Sequence, residues 1–257
     1  MNSEHFHFTA ESTSSGVIQH DFTMGEVTGA LWSPVSGADR APLVLMGHGG
    51  GNHRKSPAMT GRAQRLVTDG GFHVAVIDAP GHGGRPLTEH DEREIDAMQR
   101  AMEAGEPVGE IVVRYNAHLA ERAVPEWLAT LDALQKLPEI GAEGPVGYFG
   151  LNMGTAIGVP LTALEPRITA AVFGLFWYDD AIAESARRIT VPIEYTLQWD
   201  DEHIPRESGL ALFDAFASRE KSMHVNSGRH KELPRFEVDS AVRFFVRHLR
   251  KDVPSAD

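Results

Sequence analysis

The sequence predicts a single α/β domain over residues 1–257, built on a mainly parallel central sheet of about eight strands with helices on both faces. Three observations predict it. Short apolar runs alternate with longer helical patterns, the signature of strand–helix–strand units. The internal runs, such as PLVLM at 42–46 and VGYF at 146–149, are apolar on both faces, as strands covered from either side must be. No repeat, low-complexity linker or charge block interrupts the 257 residues.

Taken in order, residues 16–24 and 26–32 follow a polar start and read as an N-terminal hairpin or a pair of edge strands. PLVLM leads into a glycine-rich loop and a helix over 57–68. The strand FHVAVI at 72–77 is closed by the turn DAPGHG at 78–83. Residues 88–137 are the longest stretch without a strand signal. A charged helix is expected over 88–103 and a second helical pattern over 108–137, with Pro125 breaking or kinking it. This insertion either helps to cover a pocket or is a packed crossover helix with an extra turn. VGYF at 146–149 precedes a small-residue helix at 153–163. Strands follow at 168–175 (ITAAVFGL), 192–197 (PIEYTL) and 222–225 (SMHV), with helices between them. VDSAVRFFVRHLR at 238–250 is an amphipathic final helix.

Composition narrows the function. Aspartate and glutamate number 36 against 24 lysine and arginine, a formal charge of −12. That balance opposes binding to nucleic acid or an anionic membrane, yet leaves a small anionic substrate open because local fields can depart from the net. There are no cysteines, which excludes disulfides, thiolate metal sites and a cysteine nucleophile. The N-terminal residues lack a basic start followed by an apolar core, and no apolar run approaches the ~18 residues of a membrane span. A cytoplasmic protein is expected.

The chemistry centres on Gly150-Leu151-Asn152-Met153-Gly154. A strand meets a sharp turn and a helix opens, which is the setting and spacing of G-x-S-x-G, the turn that lifts a nucleophilic serine out of a sheet. Here the centre is asparagine, which has no acidic proton to lose. The loop Gly47-His48-Gly49-Gly50-Gly51 after PLVLM brings backbone N–H groups close to a ligand. With the Met153 N–H they would stabilise a tetrahedral oxyanion; the plainer reading is a flexible turn. After PIEYTL come Asp200, Asp201 and Glu202, any of which could orient a histidine, while solvated or helix-capping roles compete. His230 lies in the loop after the last strand and completes the order nucleophile, acid, histidine. Phe176, Trp177 and Tyr178, at the end of a strand, either line a pocket together with His48 and Gly49 or pack in the core. Asp179 and Asp180 are secondary candidates for the acid. His48, His53 and His82 sit near strand ends and His5 and His7 near the start, but no H-E-x-x-H is present. Neither a metal nor a cofactor is expected, and His48 and His82 read more simply as loop anchors.

These pieces together resemble the α/β-hydrolases, within the dienelactone-hydrolase-like and esterase-like group, from about residue 41 to 249. The matching motifs are G-H-G-G-G at 47–51, D-A-P-G-H-G at 78–83, G-L-N-M-G at 150–154, D-x-x-I-P at 201–205 and G-R-H at 228–230. The resemblance implies Asp201 as the acid, His230 as the base, and Gly50 and Met153 as backbone oxyanion donors. It places the nucleophile at Asn152, where this chain departs from the pattern; dienelactone hydrolases proper carry a cysteine there. The substrate implied is a small ester or lactone. Three readings of Asn152 follow: a hydrolase scaffold whose nucleophile is absent, a non-covalent enzyme using His230 and Asp201 as a general base, or a pocket that only binds.

Overall fold

The computed structural model describes residues 5–36 and 41–250. The polar start at 1–4 and the end of the expected single domain at 251–257 lie outside them. The strands are β1 (His7–Ser14), β2 (Val17–Met24), β3 (Val27–Pro34), β4 (Leu43–Gly47), β5 (His73–Ile77), β6 (Val146–Gly150), β7 (Ile168–Gly174), β8 (Ile193–Gln198) and β9 (Lys221–Asn226). They form one sheet in the order β1-β2-β3-β5-β4-β6-β7-β8-β9. From β5 to β9 every neighbouring pair is parallel, and β1, β2 and β3 add an antiparallel meander at one edge.

The sheet therefore has nine strands among the described residues, one more than the apolar runs indicate. The addition is β1, whose eight residues are all exposed. With no buried face it has no hydrophobic alternation to read, and its pairing with β2 holds it in place.

The helices are α1 (Pro57–Gly70), α2 (Glu89–Ala104), α3 (Gly109–Leu134), α4 (Met153–Leu164), α5 (Asp180–Ala186), α6 (Arg206–Ala215) and α7 (Phe236–Leu249). They cover both faces, as neighbouring residues of β6 illustrate. A side chain on Gly147 would run into Phe245 and Leu249 of α7. The next residue, Tyr148, points the opposite way, hydrogen-bonds to Gly154 O of α4 and packs edge-on against Trp127 of α3.

α2 starts at a capping box in which Thr88 and Asp91 satisfy each other's backbone N–H groups. Asp91 is fully buried and paired with Arg122 of α3 at 2.5 Å, which ties the two helices together. Of the break or kink expected at Pro125, the structure shows no break: α3 continues through it from Gly109 to Leu134. Pro125 and Glu121, one turn before it, are both exposed, so the carbonyl that proline leaves without a donor lies on the side open to water. None of the helices among the described residues is long and apolar enough to cross a membrane.

Candidate functional site

The turn from β6 into α4 places Asn152 at the C-terminal edge of the sheet. Its backbone is left-handed, φ 58° and ψ −124°, a conformation that costs on the order of 1–3 kcal/mol for a residue with a side chain. The surroundings impose it. The Asn152 N–H donates to Gly174 O at 3.0 Å. The Thr155 hydroxyl lies 2.8 Å from Gly150 O and 2.6 Å from Gly174 O, and accepts from the Gly174 N–H at 2.9 Å. A Cβ on Gly154 would come within 2.6 Å of Gly47 O, so α4 begins directly against the end of β4. Only glycine allows that approach.

The Asn152 carboxamide bridges two of the groups singled out from sequence. Its Oδ1 accepts from the Met153 N–H at 2.7 Å, and its Nδ2 donates to His230 Nε2 at 2.6 Å. Because an amide nitrogen only donates, His230 Nε2 must be the bare nitrogen of the ring. His230 Nδ1 then carries the proton and donates to Asp201 Oδ2 at 2.7 Å. This is the tautomer in which a histidine is ready to accept a proton at Nε2.

Asp201 is supported in turn. Burial pushes its carboxyl up, but hydrogen bonds from His230 and from the backbone N–H groups of Ile204 and His203 outweigh burial and hold it below the ordinary carboxylate value. The two competing acids have other positions. Asp200 is exposed. Glu202 accepts from the backbone N–H of His230 at 2.9 Å, bracing the loop that carries the imidazole. Gln198 Nε2 donates to Arg229 O at 3.0 Å in the same loop. Asp179 caps α5 through the Ala181 and Ile182 N–H groups, and Asp180 lies 3.5 Å from the Tyr178 hydroxyl.

In the glycine loop, Gly49 approaches Asn152 most closely: a Cβ built on it would sit 3.8 Å from Asn152 Cβ. Gly50 is exposed, and its carbonyl accepts from Asn52 Nδ2 at 3.4 Å. His48 is buried with both ring nitrogens in use, Nδ1 donating to Gly49 O and Nε2 accepting from the Ala79 N–H, each at 3.0 Å. It joins the ends of β4 and β5 as a loop anchor and offers no free nitrogen to a ligand. Burial, the largest influence, pulls its pKa down to about 4. His82 packs beside it, with ring centroids 5.2 Å apart.

The aromatic run divides. Phe176 lines both a small crevice behind Asp201 and an apolar groove of about 410 Å³ between α3, α4 and α5. Trp177 is buried and packs against Gly109 at the start of α3, and Tyr178 is half-buried. Asn152, Asp201 and His230 do not line that groove.

Thr155 is a supporting residue that the motifs did not reveal; Glu202, a candidate acid by sequence, and the buried Asp78 of the D-A-P-G-H-G motif take supporting roles as well. Asp78 accepts from the Arg54 N–H and the Thr28 hydroxyl and pairs with the Arg54 guanidinium. Among the described residues, one trio brings metal-ligand atoms within 4.8 Å of one another: Glu194, His224 and Glu237. Hydrogen bonds with Ser240 and Asn226 and between His224 and Glu237 account for it as a polar clamp joining α7 to the sheet.

No protein-family model and no curated protein matches the chain. Among solved structures, it is similar to a cold-adapted esterase from an Arctic intertidal metagenomic library, determined in a PEG-bound complex. The two are 31% identical over 93% of this chain and 97% of that one, with a TM-score of 0.74. Two more distant structures share the fold. An acetyl xylan esterase from Paenibacillus sp. R4 is 14% identical, with coverage of 95% and 88% and a TM-score of 0.71. A dienelactone hydrolase from Anabaena variabilis is 21% identical, with coverage of 87% and 93% and a TM-score of 0.57. With a strand–turn–helix elbow and an Asn152–His230–Asp201 chain on this scaffold, the protein belongs to the α/β-hydrolase family of ester-hydrolase type.

Proposed function

We propose that this is a small-molecule ester or lactone site of the serine-hydrolase kind in which Asn152 holds the nucleophile position and disables acyl-enzyme formation. The bridge made by the Asn152 carboxamide carries this reading. Its nitrogen occupies the place beside His230 Nε2 where a serine hydroxyl would give up its proton. An amide nitrogen has its lone pair delocalised into the carbonyl and cannot attack. Its oxygen takes up the Met153 N–H, the donor that a substrate oxyanion would need. Both ends of the machinery are thus filled by one side chain.

With serine at 152, the chemistry follows from the same groups. The hydroxyl attacks the ester carbonyl as His230 Nε2 takes its proton. The Met153 N–H and the glycine loop receive the oxyanion, and His230 returns the proton to the departing alcohol. Water, activated by His230, then releases the acid. Asp201 stays ionised throughout and stabilises the imidazolium.

A second reading draws on the tautomer of His230. With Nε2 bare and Nδ1 held by Asp201, the ring can act as a general base on a substrate proton or a water without covalent catalysis. One pair of variants separates the two. Asn152→Ser is expected to react with a serine-directed phosphonate and to hydrolyse activated esters at least ~10³-fold faster than the asparagine protein. A folded serine variant that stays unlabelled and inert refutes the disabled-hydrolase reading. His230→Ala must abolish any activity of the asparagine protein, or the general-base reading fails.

A further inference from the structure

Beyond this reading, the face that carries α1 and α7 holds a cavity of about 740 Å³ lined by Pro57, Arg62, Arg65, Leu233, Arg235 and Asp239, among others. One wall is the first half of α1, the helix that follows the glycine loop. The other is the segment that begins three residues after His230. Arg62 also lies over the ring of Phe149, 5.7 Å from its centroid, one residue before Gly150 of the elbow. The cavity is thus bounded by the helix that follows the glycine loop and by the segment that follows the His230 loop.

The chain is acidic overall, and Arg54, Arg85, Arg114, Arg122 and Arg167 each rest on a carboxylate, whereas two arginines of this cavity do not. Arg62 has no carboxylate partner among the described residues, and neither does Arg235 on the facing wall. The acidic residue of the lining, Asp239, is taken by Arg65 at 2.5 Å. Burial alone acts on Arg62 and lowers its pKa; no counter-charge raises it. A half-buried guanidinium held against an aromatic ring and facing an open cavity keeps its fork of N–H donors free for a planar or tetrahedral oxyanion.

We propose that this cavity is a binding site for the carboxylate or phosphate group of a small molecule, with Arg62 as its principal counter-charge and Arg235 closing on it from the opposite wall. The proposal concerns binding and does not depend on the role of Asn152.

The test is isothermal titration of the protein at low ionic strength with three probes: succinate, inorganic phosphate and the neutral succinamide. Saturable binding of succinate or phosphate is expected, and none of succinamide. Arg62→Gln should weaken the anion by about tenfold or more, and Arg62→Lys, which keeps the charge but loses the planar fork and its stacking on Phe149, should fall between Arg62→Gln and the parent. Succinate favoured over phosphate would identify a carboxylate ligand, and the reverse a phosphate one. Failure of both anions to bind saturably, equal binding by Arg62→Gln, or succinamide binding as tightly as succinate would each overturn the proposal. Urea midpoints of the variants report any packing lost where Arg62 covers the Phe149 ring, separately from anion binding.

Discussion

Acid should unfasten the loop beneath Asn152 through His48, by an amount that can be worked out. In the folded protein its imidazole is buried, accepts the Ala79 N–H at Nε2, and protonates only at about 4, against an ordinary value of 6.5. In the unfolded chain the ring takes up its proton as the pH falls through 6.5. The stabilisation is therefore complete above 6.5, shrinks between 6.5 and 4, and falls no further below that. Linkage sets the scale at about 1.4 kcal/mol per unit of difference, which amounts to roughly 2 kcal/mol lost by pH 5 and about 3 kcal/mol below pH 4. Other groups titrate over this range, so the measurement is a difference. Urea unfolding of the parent and of His48→Gln at pH 8 and pH 5 should show the parent losing about 2 kcal/mol more than the variant. Parallel losses in the two proteins would refute the argument that burial keeps His48 neutral.

Two further substitutions probe the elbow itself. Gly154→Ala would set a methyl group 2.6 Å from Gly47 O, backbone against side chain with nothing flexible to yield. A loss of about 1–3 kcal/mol in urea unfolding is expected, and an unchanged midpoint would show that α4 can move off β4 freely. Thr155→Val keeps the shape but leaves the Gly174 N–H without its acceptor, at a cost of about 1–3 kcal/mol measured in the same way. The same change should raise hydrogen exchange at the Asn152 amide, which donates to Gly174 O.

How much of the fold is legible in the sequence follows from how local each signal is. β4 and β6 are apolar on both faces and end in glycine, so their positions and the turn at Asn152 are visible in a few adjacent residues. The order of elbow, acid and histidine along the chain points to His230, and the D-x-x-I-P resemblance to Asp201; the structure joins the two at 2.7 Å across 29 positions. β1 has no buried face and so left no pattern. Pro125 suggests a broken or kinked helix because proline removes a donor, and its exposed setting lets α3 continue without a break.

What the sequence by itself determined is the sheet's central strands and the strand–turn–helix elbow, because strand burial and glycine-dependent turns are encoded in neighbouring residues. What only the tertiary structure decided is where each polar atom finds its partner. That includes the amide of Asn152 reaching His230 across 78 positions, Glu202 bracing the histidine loop, His48 locked between two strand ends, and Arg62 left facing a cavity without a carboxylate. Hydrogen bonds act over about 3 Å in space and are indifferent to separation along the chain, so such pairings emerge only when the fold closes.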